Sequence, residues 1–93
     1  MLIQQKDNGH KGVFYVGEET EPLAEMTYTM ATANKMIIDH TEVSDELRGK
    51  NVGYQLVHTA VEYARANNIK IIPLCPFARS VFNRKPAFAD VLN

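Results

Sequence analysis

Arg48-Gly49-Lys50-Asn51-Val52-Gly53 sets two cations and two glycines at the head of an amphipathic stretch. Apolar residues at 52, 56, 60 and 64, widened by Val57 and Val61, give that stretch a helical period. The loop therefore feeds a helix N-terminus, where backbone N–H groups lack intrahelical acceptors and the macrodipole adds partial positive charge. Glycines let a ligand approach the backbone closely. The chemistry implied is the binding of a phosphate-bearing ligand; the bland alternative is an ordinary basic loop. A second reactive candidate is Cys75, which ends the apolar run Ile69-Lys70-Ile71-Ile72-Pro73-Leu74-Cys75 and precedes Pro76. A thiol there is either a nucleophile or a small buried apolar residue. His40, in Asp39-His40-Thr41-Glu42-Val43, is a candidate base for it; a structural histidine near a strand end is at least as good a reading.

These residues need elements to position them. Residues 1–6 read as a short strand, and Asp7-Asn8-Gly9-His10-Lys11-Gly12 as a turn. Val13-Phe14-Tyr15-Val16 is a second strand, ended by Gly17 and the acidic turn Glu18-Glu19-Thr20-Glu21-Pro22. Residues 23–31 alternate, with Ala24, Met26, Tyr28 and Met30 on one face, as in a half-buried antiparallel strand. A fourth strand opens at Met36 and runs to about Val43. The helix spans about 52–66, with Asn67-Asn68 as its stop because Asn tolerates the left-handed conformation. The run 69–75 is a fifth strand, apolar enough to be covered on both faces. Pro76 opens a short second helix that Lys85-Pro86 stops, leaving a tail whose Phe88, Val91 and Leu92 can dock. The order β-β-β-β-α-β-α predicts an α+β fold: an antiparallel meander followed by a right-handed crossover.

Bulk properties fit one domain over residues 1–93 with a modest core, since a chain of this size buries only about 60–65% of its unfolded surface. A net charge of −1 argues against a general nucleic-acid partner. No apolar run is long enough for a transmembrane helix, and residues 1–6 lack a signal-peptide pattern, so no membrane partner is expected. A single cysteine excludes an intramolecular disulfide and suggests a reduced, cytoplasmic setting. Scattered histidines (His10, His40, His58) make a structural metal unexpected. Open sheet edges are compatible with a monomer or a weak homodimer.

The loop Arg48–Gly53 resembles the (Gln/Arg)-x-x-Gly-x-(Gly/Ala) motif of the GNAT N-acetyltransferase superfamily. With His40-Thr41-Glu42-Val43 before it and Pro73-Leu74-Cys75-Pro76-Phe77 after the helix, it resembles the minimal, single-domain YjdJ-like branch. The resemblance covers nearly the whole chain, most clearly residues 36–92. It implies a GNAT-like mixed sheet, mostly antiparallel, whose fourth and fifth strands splay apart. It also implies acetyl-CoA, or CoA, as cosubstrate. Arg48, Gly49, Lys50, Asn51, Val52 and Gly53 would then cradle the pyrophosphate. Thr41 and Val43 would line the pantetheine, with the Val43 backbone as its hydrogen-bonding partner and oxyanion donor. The chain departs from the superfamily at Asn51, where Gly is usual; Asn is the next-best residue for that conformation.

The same resemblance exposes gaps in the catalytic set. The position of the usual carboxylate base falls near Ile37, and that of the usual Tyr acid at Val81 or Phe82. Cys75 instead would lie at the mouth of the splay, where a thiolate could relay acetyl with His40 as base. Two functions follow. One is an acetyl-CoA-dependent N-acetyltransferase acting on an amine acceptor, a protein, a peptide or a small molecule. The other is a CoA-binding or interaction module with little catalysis. Glu18, Glu19 and Glu21 could attract an amine, although a solvated turn explains them as well. Arg79, Arg84 and Lys85 could meet CoA phosphates, with ordinary surface charge slightly favoured.

Overall fold

The alternating strands do form a meander. The computed structural model, which describes all 93 residues, contains β1 (Gln4–Asp7), β2 (Lys11–Gly17), β3 (Pro22–Thr32), β4 (Lys35–Val43), α1 (Val52–Asn67), β5 (Lys70–Pro73) and α2 (Pro76–Arg84). The five strands form one sheet in the order β1-β2-β3-β4-β5. All pairs are antiparallel except β4–β5, which α1 connects in parallel. Parallel neighbours need such a crossover, and the change of apolar period after Val43 marks it.

Both helices pack on one face. The β2 and β3 residues Phe14, Val16, Ala24, Met26 and Tyr28 are buried there, as are Met36 and Ile38 of β4 and Ile71 of β5. Against them lies the apolar stripe of α1: Val52, Leu56, Val57, Ala60, Val61 and Ala64. Ala78, Val81 and Phe82 of α2 complete the layer. Tyr28 carries its phenol into this core; the hydroxyl donates to Asp7 (2.9 Å) and accepts from Gln5 (2.8 Å). Gly12 leaves room for that ring, since a Cβ there would lie 2.2 Å from Tyr28 Cζ.

One expectation changes. β5 is covered on one face only: Ile71 is buried but Ile72 and Pro73 are half-buried. The strand is short and no helix lies on the far side of the sheet. The C-terminal segment docks as expected through Phe88 and Val91, though not through the Leu92 side chain. Pro86–Val91 form a 3-10 segment whose Phe88 and Val91 are buried. Leu92 remains exposed, but its backbone bridges Ile71, and Asn93 N–H donates to the Ile71 carbonyl at 2.9 Å. The Asn stop holds, with Asn68 left-handed (φ 57°) at the end of α1.

Candidate functional site

β4 and β5 pair from Lys35 and Lys70 to Ile38 and Pro73, and then part. The N–H groups of Leu74 and Cys75 both donate to the Ile38 carbonyl at 3.1 Å, closing the pairing. Beyond that point β4 continues to Val43 with only β3 beside it. Ser44 N–H donates across to Leu23 at 2.8 Å. Strand alternation therefore turns the N–H and C=O of Val43 the opposite way, toward the parted edge. That edge offers hydrogen bonds to an extended ligand.

Cys75 sits at the apex of the parting. It is the N-cap of α2, and Pro76 fits the first helical position because its missing N–H costs nothing there. Cys75 is 6% exposed. Its Sγ accepts from Ala78 N–H at 3.5 Å and lies 3.3 Å from Thr41 Oγ1. The thiol thus joins the free part of β4 to the first turn of α2.

His40 is not brought to the thiol. Its side chain is 64% exposed, and Nε2 lies 3.9 Å from Glu42 Oε1. Its cross-strand partner Thr27 lies between the buried Met26 and Tyr28, on the face away from the helices. The cause is a bulge: Thr27 pairs with His40 and Tyr28 with Ile38, leaving Asp39 as an extra residue. Strict alternation from buried Ile38 would have turned His40 inward and Thr41 outward. One inserted residue exchanges the faces, so Thr41 reaches the thiol instead.

The loop after β4 is an exposed cradle. A single 3-10 turn, Asp45–Leu47, precedes it. Arg48 Nη2 pairs with Asp45 Oδ1 at 2.5 Å, with both side chains largely exposed. Lys50 N–H donates to Leu47 at 3.2 Å. Gly49 has φ +80°, and the space around it is open. Asn51 is left-handed (φ 61°, ψ 29°) and its side chain does not cap α1. The first helical bond is Gln55 N–H to Asn51 at 3.1 Å, so the N–H groups of Val52, Gly53 and Tyr54 have no protein acceptor. Val52 contributes its N–H alone, because its side chain is in the core. Gly53 is a glycine for a further reason: a Cβ there would lie 2.6 Å from Phe77 Cζ. It lets α2 approach α1, and with it the Cys75 thiol.

Two clefts flank this centre. One, of about 410 Å³, is lined by Thr20–Glu25 and by Glu42, Val43 and Ser44, and so gathers Glu21, Glu25 and Glu42 around the end of β4. In the sequence only the acidic turn is a visible cluster, since cross-strand pairing brings Glu25 and Glu42 together. The other, of about 330 Å³, is lined by Asn51, Tyr54, Val81, Arg84 and Lys85. Ile37 is half-buried, and Val81 and Phe82 are buried in the core; none of the three carries an ionisable group. No cluster of three or more His, Cys, Asp or Glu that could hold a metal ion is present, and no helix is long and apolar enough to cross a membrane.

Comparison with known proteins shows the family and the fold. The family model described as GCN5-related N-acetyl-transferase matches residues 13–91. The solution NMR structure of a GCN5-like candidate N-acetyltransferase from Staphylococcus aureus is 43% identical; the match covers 97% of this chain and 87% of that one, with a TM-score of 0.76. A ribosomal-protein-alanine N-acetyltransferase from Brucella melitensis shares the fold at 14% identity and a TM-score of 0.66, over 83% of this chain and 62% of that one. Tetrahymena GCN5 does so at 11% identity and 0.65, over 83% of this chain and 51% of that one. No curated protein sequence matches the chain.

Proposed function

The chain belongs to the GCN5-related N-acetyltransferase family, and from that premise we propose that it transfers acetyl from acetyl-CoA to an amine through Cys75. The observation that carries this reading is the position of the thiol, held between Thr41 Oγ1 and Ala78 N–H where β4 and β5 part. Pantetheine would lie along the free edge of β4, bonded to the Val43 backbone. Its diphosphate would meet the N–H groups of Val52, Gly53 and Tyr54, with Gly49 and Asn51 shaping the turn and Lys50 adding charge.

The transfer has two steps. The Cys75 thiolate attacks the acetyl carbonyl carbon; the carbon–sulfur bond to CoA breaks, and the CoA thiolate takes up the proton that Cys75 released. A neutral amine then attacks the acetyl-cysteine; the carbon–sulfur bond breaks, an amide forms, and the leaving Cys75 thiolate takes up the proton that the amine nitrogen loses, which restores the thiol. A backbone N–H near Val43 on the parted edge is the candidate donor to the oxyanion. The acceptor would enter from the cleft that holds Glu21, Glu25 and Glu42, whose carboxylates suit a cationic amine of a protein or peptide. His40, paired with Glu42 at that rim, would meet the acceptor rather than the thiol.

A second reading, CoA binding with little or no turnover, is favoured by the absence of an ionisable group at Ile37, Val81 and Phe82. Intact-mass spectrometry after incubation with acetyl-CoA separates the two. The relay gives a species heavier by one acetyl group that is absent in Cys75→Ala. Acetyl transfer to amines that survives Cys75→Ala sinks the relay, and CoA binding without any transfer establishes the second reading.

A further inference from the structure

The cleft of about 330 Å³ between the start of α1 and the end of α2 is electrostatically one-sided. Arg84 and Lys85 line one wall. Arg84 Nε donates to the Ser80 carbonyl at 3.2 Å, and Lys85 Nζ lies 5.4 Å from the centre of the Tyr54 ring. Neither has an ion-pair partner, and no carboxylate lines the cleft. Cations at the end of α2 satisfy its own macrodipole, which is the bland account of them. That account does not explain the opposite wall, where Asn51 and Tyr54 belong to the positive end of α1. Two cations beside a positive helix end give the cleft a positive potential with no carboxylate to offset it, which favours an anion there.

Resting on the CoA reading above, we infer that this cleft takes the 3′-phosphomonoester of CoA and makes the protein distinguish CoA from dephospho-CoA. Charge matching favours the monoester over the diphosphate. A phosphomonoester carries close to two negative charges at neutral pH, and the cleft presents two cations with no counter-charge. The diphosphate has its own donors in the loop, where Arg48 is already offset by Asp45. The Tyr54 ring lines the cleft beside Lys85.

Titration calorimetry of the full chain with CoA and with dephospho-CoA tests this, using the wild type and the Arg84→Gln/Lys85→Gln double variant. Both side chains are exposed, so their replacement leaves the core intact. The wild type is expected to bind CoA at least about tenfold more tightly than dephospho-CoA, the worth of one strong charge-assisted contact. The double variant is expected to bind both as weakly as the wild type binds dephospho-CoA. Equal wild-type affinities, or a preference for CoA that survives in the double variant, would overturn the assignment while leaving the CoA reading standing. Binding of neither ligand by the wild type would remove both.

Discussion

Asn51 is where the chemistry of the loop depends on one residue's conformational range. Its φ of 61° and ψ of 29° turn the chain so that the next N–H groups face outward. Asn tolerates this region and Gly is free of its cost, whereas Ala is not. Asn51→Gly should therefore leave thermal stability within a few tenths of a kcal/mol, while Asn51→Ala should cost about 1 kcal/mol. Thermal denaturation of the pair reads the difference. The choice between Thr41 and His40 is the opposite case. Residue types name both as candidates, but an extra residue at Asp39 decides which one meets Cys75. A bulge leaves no mark in a pattern of alternating residues this short. The thiol's site was legible, because Pro76 marks the helix start; its neighbour was not.

Among the elements, periodicity carried most of the information. The alternation of residues 23–31 and the four-residue period from Val52 are strong because each has a single buried face. The coverage of β5 is hidden because a strand of four residues does not report which face is covered, and the sheet has helices on one side only. Packing glycines were equally hidden. Gly53 reads as part of a phosphate loop, yet its missing side chain also admits Phe77. Gly12 reads as part of a turn, yet it stands in β2 over the Tyr28 ring. Gly12→Ala should cost about 1–3 kcal/mol, the range for an overpacked core, because backbone and a buried ring must both shift. Urea unfolding should show a lowered midpoint with an unchanged slope.

Across the whole molecule, a small chain compensates for a thin core with ties between distant segments. Arg65 joins α1 to the C-terminal segment through two bonds to Asp90 (2.9 Å each) and one to the Ala87 carbonyl (2.8 Å). Hydrogen bonds from that guanidinium hold the Asp90 carboxyl below its usual range. Their contribution is present above the ordinary carboxylate range and is lost as pH falls. At the other end, burial raises the Tyr28 phenol above its ordinary value of about 10, with Asp7 adding to the shift and Gln5 opposing it. The folded state therefore holds that proton more tightly than the unfolded chain does. Stability from this group is complete below about pH 10 and declines above it. Melting temperatures should fall more steeply above pH 10 for the wild type than for Tyr28→Phe. The central claim is that the parted edge of β4 and the start of α1 together hold CoA. Amide chemical-shift mapping during titration with CoA tests it most directly. The account expects the largest shifts at Val43, Gly49 and Asn51–Tyr54, with smaller ones at Cys75 and Ala78. Unchanged amides at the α1 start, or shifts confined to the face away from the helices, would contradict it.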